Sequence, residues 1–166
     1  ILRWTVTRMT ENAERDRVAE TPTALQGSFR LLFTGGALWA LVVVALWVGA
    51  LDGAWTLPTA MEPLAWHQHE MLFGYLGAVI AGFLSAAIPN WTGRPAVTGW
   101  PVAAFVGLWA AARLAVLFSA IVPPLVGATL DVGFLLALLG YAAWQIFAAG
   151  RRNKPILIVL LLFAAA

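Results

Sequence analysis

Four long apolar stretches constrain the fold of this chain more than any other feature. They cover about residues 29–51, 70–88, 100–121 and 125–149. About 20 apolar residues are enough to cross the roughly 30 Å hydrocarbon core of a bilayer as a helix that rises about 1.5 Å per residue. The sequence therefore predicts an all-α, polytopic transmembrane helix bundle with four full spans.

The two ends of the chain differ from these spans. Residues 1–28 are polar and mixed in charge, which predicts a solvated cytoplasmic tail preceding a transmembrane domain at 29–166. A last apolar run, 155–166, is too short to cross a bilayer unless more chain follows it. We expect this run to be the start of a fifth span, and the chain to be the N-terminal portion of a longer protein.

Composition excludes a soluble globular domain. Hydrophobic residues make up 61% of the chain and charged residues 11%, against roughly 45–50% and 25% in soluble proteins. The basic residues separate apolar runs instead of sharing one polar face, so we expect the lipid bilayer and no nucleic acid as a partner. The chain has no Cys, which excludes disulfides and thiolate metal sites.

The distribution of Lys and Arg predicts the orientation. The connections with basic residues alternate with connections that have none, namely 52–69 and 121–124. The basic positions are Arg3, Arg8, Arg15, Arg17, Arg30, Arg94, Arg151, Arg152 and Lys154. Because cytoplasmic loops are enriched in Lys and Arg, the N-terminus is predicted to be cytoplasmic and the 52–69 loop to lie on the outer side.

A polar cluster at the start of the second span is the best candidate site. His67 and Glu70 are three residues apart and would share a helix face, whereas His69 would lie about 200° from His67. Both imidazoles could face one metal only if the helix began near His69, with His67 in the loop. Imidazole is a common metal ligand that a nearby carboxylate can orient. The alternative is that these are ordinary interfacial polar residues.

Two charges lie inside apolar spans. Arg113 and Asp131 flank the turn at residues 121–124, at depths that differ by only a few Å. An unpaired charge there would cost several kcal/mol, which predicts an intramembrane ion pair at the depth of Glu70. The pair could fix helix register, carry protons or anions, or bind a propionate.

Other motifs predict packing and anchoring. Gly74, Ala78 and Gly82 form a small-residue stripe that allows close approach of another helix. The turn containing Asn90, Trp91 and Arg94 is predicted to lie at headgroup level, and most other tryptophans are expected to be interfacial or packing residues. No nucleophile constellation, phosphate-binding loop or paired hydrolytic carboxylates occur, so no catalytic residue is predicted.

Several of these segments together resemble the NnrS family. The segments are FRLLF at 29–33, WHQHEMLFGY at 66–75, AVIAGFL at 78–84 and PNWTG at 89–93. The resemblance extends from about residue 29 to the end of the chain. It implies a bacterial inner-membrane protein that binds haem and copper and acts in the response to nitric oxide and nitrosative stress. It also implies that His67 and His69 are haem or copper ligands and that Glu70 orients them.

The resemblance leaves part of this site outside the chain. Further histidines of the family would lie beyond residue 166, so haem and copper sites within these residues are expected to be incomplete. A second hypothesis is a structural or accessory transmembrane subunit of a larger respiratory or photosynthetic complex, with no metal of its own. A third is a transporter-like bundle in which Glu70, Arg113 and Asp131 form a polar path.

Overall fold

The computed structural model describes Pro22, Leu25 and residues 27–150 and 155–165, and over these residues its regular secondary structure is helical. The helices in this part of the chain are α1 (Ser28–Leu51), α2 (Pro63–Thr92), α3 (Trp100–Leu117), α4 (Pro124–Ala148) and α5 (Pro155–Ala165). The predicted all-α fold is confirmed. Helices α1 to α4 are each long and apolar enough to cross a membrane. Most of the predicted tail at 1–28, and the basic residues 151–154, lie outside the described residues.

Helix α2 is longer than the span predicted at 70–88. It begins at Pro63, where the missing N–H of proline is tolerated in a first helical turn. This early start buries Trp66 completely. Both His67 and His69 are therefore helical, and the condition under which they could face one metal is not met.

A π-helical segment, Glu70–Leu76, interrupts α2 directly after His69. Such segments pair each N–H with the carbonyl five residues earlier and widen the helix, and they are frequent at functional sites. Regular α-helix resumes at Gly77 and continues to Thr92. The directions in which side chains leave α2 near residue 70 therefore differ from those of a regular helix.

Helices α1 and α2 pack closely where both carry small residues. A Cβ atom added at Gly36 would lie 3.0 Å from the Cβ atom of Ala78. One added at Gly74 would lie 2.9 Å from Glu70 Oε2 and 3.0 Å from Trp39. Gly82 is likewise in contact range of the Phe33 side chain, with 3.4 Å to an added Cβ. The small-residue stripe of α2 thus lies against α1, where close contact replaces the hydrophobic effect as the source of helix association in lipid.

The turn after α2 is bound to α4. Gly93 ends α2 in a left-handed conformation, with φ 68°, and donates its N–H to Pro89 O at 2.8 Å. Arg94 Nε donates to Gln145 Oε1 at 2.5 Å, and its guanidinium lies 4.9 Å from the centre of the Trp144 ring. Asn90 Nδ2 donates to Ala86 O within α2. The Arg94 contacts set the position of this end of α2 relative to α4.

Helix α1 exposes a broad apolar face. Leu38, Leu41 and Leu51 are each more than half exposed, at 59%, 69% and 61%. A contiguous apolar surface of this kind is unfavourable in water but is the normal exterior of a helix in hydrocarbon. The exposed faces and the helix lengths together describe a membrane protein.

Candidate functional site

The part of the bundle near the start of α2 brings four charged or titratable side chains into one group. We call His69 and Glu70 of α2, Arg113 of α3 and Asp131 of α4 the charge cluster. Arg113 and Glu70 are 1% and 0% exposed, and Asp131 is also buried. Since three helices contribute to it, the charge cluster ties α2, α3 and α4 together at one depth.

Glu70 has more polar partners than any other member of the charge cluster. Its Oε2 accepts hydrogen bonds from Trp39 Nε1 at 2.6 Å and from Arg113 Nη1 at 3.0 Å. Its Oε1 lies 3.2 Å from His69 Nδ1. A buried carboxylate is tolerated only where charged or N–H donors replace its water, and these contacts meet that requirement.

Arg113 joins the two carboxylates. Its Nη2 donates to Asp131 Oδ1, and its Nη1 donates to Glu70 Oε2. Its Nε is buried without a hydrogen-bond partner among the described residues. Arg113 is thus in contact with Asp131, the partner that the sequence predicts. Glu70 is a second partner, for which the sequence predicts a similar depth but no contact.

His69 lies between the same two carboxylates. Its Nε2 is 3.0 Å from Asp131 Oδ2 and its Nδ1 is 3.2 Å from Glu70 Oε1. Only an imidazolium carries an N–H at both ring nitrogens, so this geometry suits the doubly protonated ring. A metal could bind His69 only after one of these two contacts had been released.

His67 points to a different part of the molecule. Its ring stacks on Trp47 of α1, with the ring centroids 4.1 Å apart and the planes 13° apart. Its Nδ1 is buried and has no hydrogen-bond partner within the described part of the chain. The structure therefore separates the two histidines, with His69 in the charge cluster and His67 against α1.

Three aromatic side chains of α1 and the start of α2 carry a buried, unpaired ring nitrogen. The atoms are His67 Nδ1, Trp47 Nε1 and Trp66 Nε1, each buried without a partner among residues 27–150 and 155–165. Trp47 packs against the buried group that contains Trp66 and Val43. An unpaired polar atom in an apolar interior is costly. A bound group that accepted or donated a hydrogen bond, or was ligated by His67, would lower that cost.

No group of three or more His, Cys, Asp or Glu side chains that could hold a metal ion exists among the described residues. His67 suits a site with one imidazole ligand from this chain, because its Nδ1 makes no competing contact. His69 does not suit ligation in this arrangement, since both its nitrogens contact carboxylates.

Two tryptophans have roles that sequence reasoning missed. Trp39 donates to Glu70, and Trp109 Nε1 donates to the Gly74 carbonyl in the π-helical segment at 3.0 Å. The sequence predicts only interfacial or packing positions for both. The available signal was their mid-span position, because a buried indole N–H in lipid needs an acceptor.

The sequence of this chain is similar to that of a known protein family. The model of the NnrS family, described as NnrS protein, matches residues 23–166. The matched segment contains all five helices described above, and with them both histidines and the charge cluster. Searches of curated proteins and of solved structures found no match.

Proposed function

This chain belongs to the NnrS family, and on that premise we propose that it binds haem and copper in the bacterial inner membrane and acts in the response to nitric oxide and nitrosative stress. The observation that carries the proposal is the family match over residues 23–166. Four helices that can cross a membrane agree with the proposed location. The proposed partners are the lipid bilayer and either the remainder of this protein's own chain or other membrane subunits.

We assign metal ligation in this chain to His67. Its buried, unpaired Nδ1 supports this assignment, as does the unpaired indole nitrogen of Trp47, whose ring stacks on the imidazole. The family resemblance also made His69 a ligand, but the two carboxylate contacts of His69 favour a role in the charge cluster. A haem iron or copper ion held at His67 would supply the metal that binds nitric oxide.

The protein's own residues would hold His67 in position. Stacking on Trp47 restricts rotation of the imidazole ring. The charge cluster begins two residues further along α2 and joins that helix to α3 and α4. Glu70 would therefore act on His67 through the position of α2 and not through contact with its ring.

Matched substitutions at the two histidines test this assignment. Protein purified from native membranes in mild detergent should show a Soret band and bound copper. His67→Gln should lose most of the haem or copper signal. His69→Gln should keep it and unfold at a lower temperature, because it removes two charged contacts.

The same measurement separates the proposal from the accessory-subunit hypothesis. A colourless wild-type protein without copper, purifying only with other subunits, would contradict the proposal and favour an accessory subunit. Loss of the metal signal in His69→Gln, with His67→Gln unchanged, would reverse the assignment of the two histidines. In cells that lack the protein, resistance to nitric oxide should be restored by the wild type and not by His67→Gln.

A further inference from the structure

An apolar crevice lies at the end of α2 that is remote from the charge cluster. Its volume is about 840 Å³, within the range of roughly 300–1,000 Å³ typical of small-molecule sites. It is lined by side chains from the start of α1, the end of α2, the start of α3 and the second half of α4. Ala104, Ala137 and Gly140 line it and are exposed, so the crevice is open on the surface of the bundle.

Two arginines lie beside this crevice, each against an aromatic ring that lines it. The Arg30 guanidinium is 5.6 Å from the centre of the Phe29 ring. The Arg94 guanidinium is 4.9 Å from the centre of the Trp144 ring. An apolar groove bordered by two cations matches a molecule with an alkyl body and an anionic head.

We propose that this crevice binds an acyl chain of an anionic phospholipid, whose phosphate is bound by Arg30 and Arg94. Guanidinium groups pair with phosphate oxygens through two parallel hydrogen bonds, and basic pockets between membrane helices attract anionic headgroups. Arg30 lies in the first turn of α1 and Arg94 follows α2, so both are at the ends of membrane-crossing helices, where a headgroup would be. This inference is independent of haem and copper.

The glycines of α4 provide a matched pair of variants. A Cβ added at Gly140, which lines the crevice, meets no atom within 4 Å, so Gly140→Phe can place its ring in the crevice without moving the backbone. A Cβ added at Gly133 also meets no atom within 4 Å, and Gly133 is not among the lining residues. Gly133→Phe is therefore the control for the same change in the same helix.

The experiment is native mass spectrometry of the whole protein after reconstitution with equal amounts of phosphatidylglycerol and phosphatidylcholine. Wild type and Gly133→Phe should retain phosphatidylglycerol in preference to phosphatidylcholine. Gly140→Phe should retain at least fivefold less of it. Arg30→Gln should weaken retention of phosphatidylglycerol by about fivefold and leave phosphatidylcholine unchanged, since each basic residue contributes about this much to binding an anionic surface.

Three results would overturn the proposal. One is equal retention of the two lipids by the wild type, a measurement that needs no variant to fold. Another is equal retention of phosphatidylglycerol by Gly140→Phe and Gly133→Phe. The third is loss of haem, with no change in lipid, on Gly140→Phe, which would assign the crevice to a different occupant.

Discussion

At the scale of single residues, pairing of buried charges dominates this molecule. Glu70 and Arg113 are almost completely inaccessible, and each contacts at least two other members of the charge cluster. In an apolar surrounding the attraction between such groups is strong, but so is the cost of leaving one unpaired. The cluster therefore behaves as a unit whose members depend on one another.

Asp131→Asn tests this dependence with almost no change in volume. Arg113 and His69 each lose a charged partner, so we expect the free energy of unfolding to fall by about 3 kcal/mol. Thermal unfolding in detergent measures the change. Asp52→Asn is the control, because Asp52 is exposed at the end of α1. Equal midpoints for the two variants would contradict a stabilising role for the cluster.

At the scale of helices, α2 is the element on which the site depends. Its His67 packs against α1, and its His69 and Glu70 belong to the charge cluster. Further along the helix, its small residues pack against α1. The π-helical segment Glu70–Leu76 begins directly after the two histidines and contains Glu70. His67 and His69 both lie in the regular helix before this segment, about 200° apart around its axis, so the two histidines serve different parts of the molecule.

Alanine substitutions at two helical glycines test the close α1–α2 contact. At Gly107 of α3 an added methyl meets nothing within 4 Å, so Gly107→Ala should be neutral or stabilising by up to about 1 kcal/mol. At Gly74 the methyl would meet Glu70 and Trp39 at 2.9–3.0 Å, so Gly74→Ala should destabilise by about 1–3 kcal/mol. Relative to the wild type, the unfolding temperature should fall for Gly74→Ala and stay the same or rise for Gly107→Ala. A stabilised Gly74→Ala would mean that α1 does not approach α2 this closely.

At the scale of the whole molecule, the two candidate binding sites lie at opposite ends of the bundle. The charge cluster and His67 lie near the start of α2, whereas the Arg94 turn and the apolar crevice lie near its end. The charge distribution predicts that the first region faces outward and the second faces the cytoplasm. A metal site would then be reached from the outer side, and the lipid site from the inner leaflet.

Thiol labelling tests this orientation directly, since the chain has no native Cys. Ala54→Cys lies in the loop before α2, and Ala96→Cys lies in the turn after it, both at exposed positions. A membrane-impermeant maleimide should label Ala54→Cys in intact spheroplasts and Ala96→Cys only after permeabilisation. The reverse pattern would place the histidines at the cytoplasmic face.

Hydropathy alone predicted the helical class and the long apolar helices of this protein. The physical reason is that backbone polar groups in lipid must be satisfied within the helix, so length and apolarity are sufficient to identify a span. Depth along a helix follows from the residue count in the same way, so the sequence predicts that Arg113 and Asp131 lie at similar depths. Proline and polar residues at 58–69 obscured the early start of α2, because they are equally common in loops.

Only the tertiary structure decided which direction each side chain faces. Hydropathy reports depth and carries no information on rotation about a helix axis, and the π-helical segment changes that rotation at residue 70. The assignment of His69 to two carboxylates, of His67 to Trp47, and of Trp39 to Glu70 required the packed bundle. Except for the pair His69–Glu70, these contacts join residues distant in sequence, and their geometry depends on how the helices are rotated against one another.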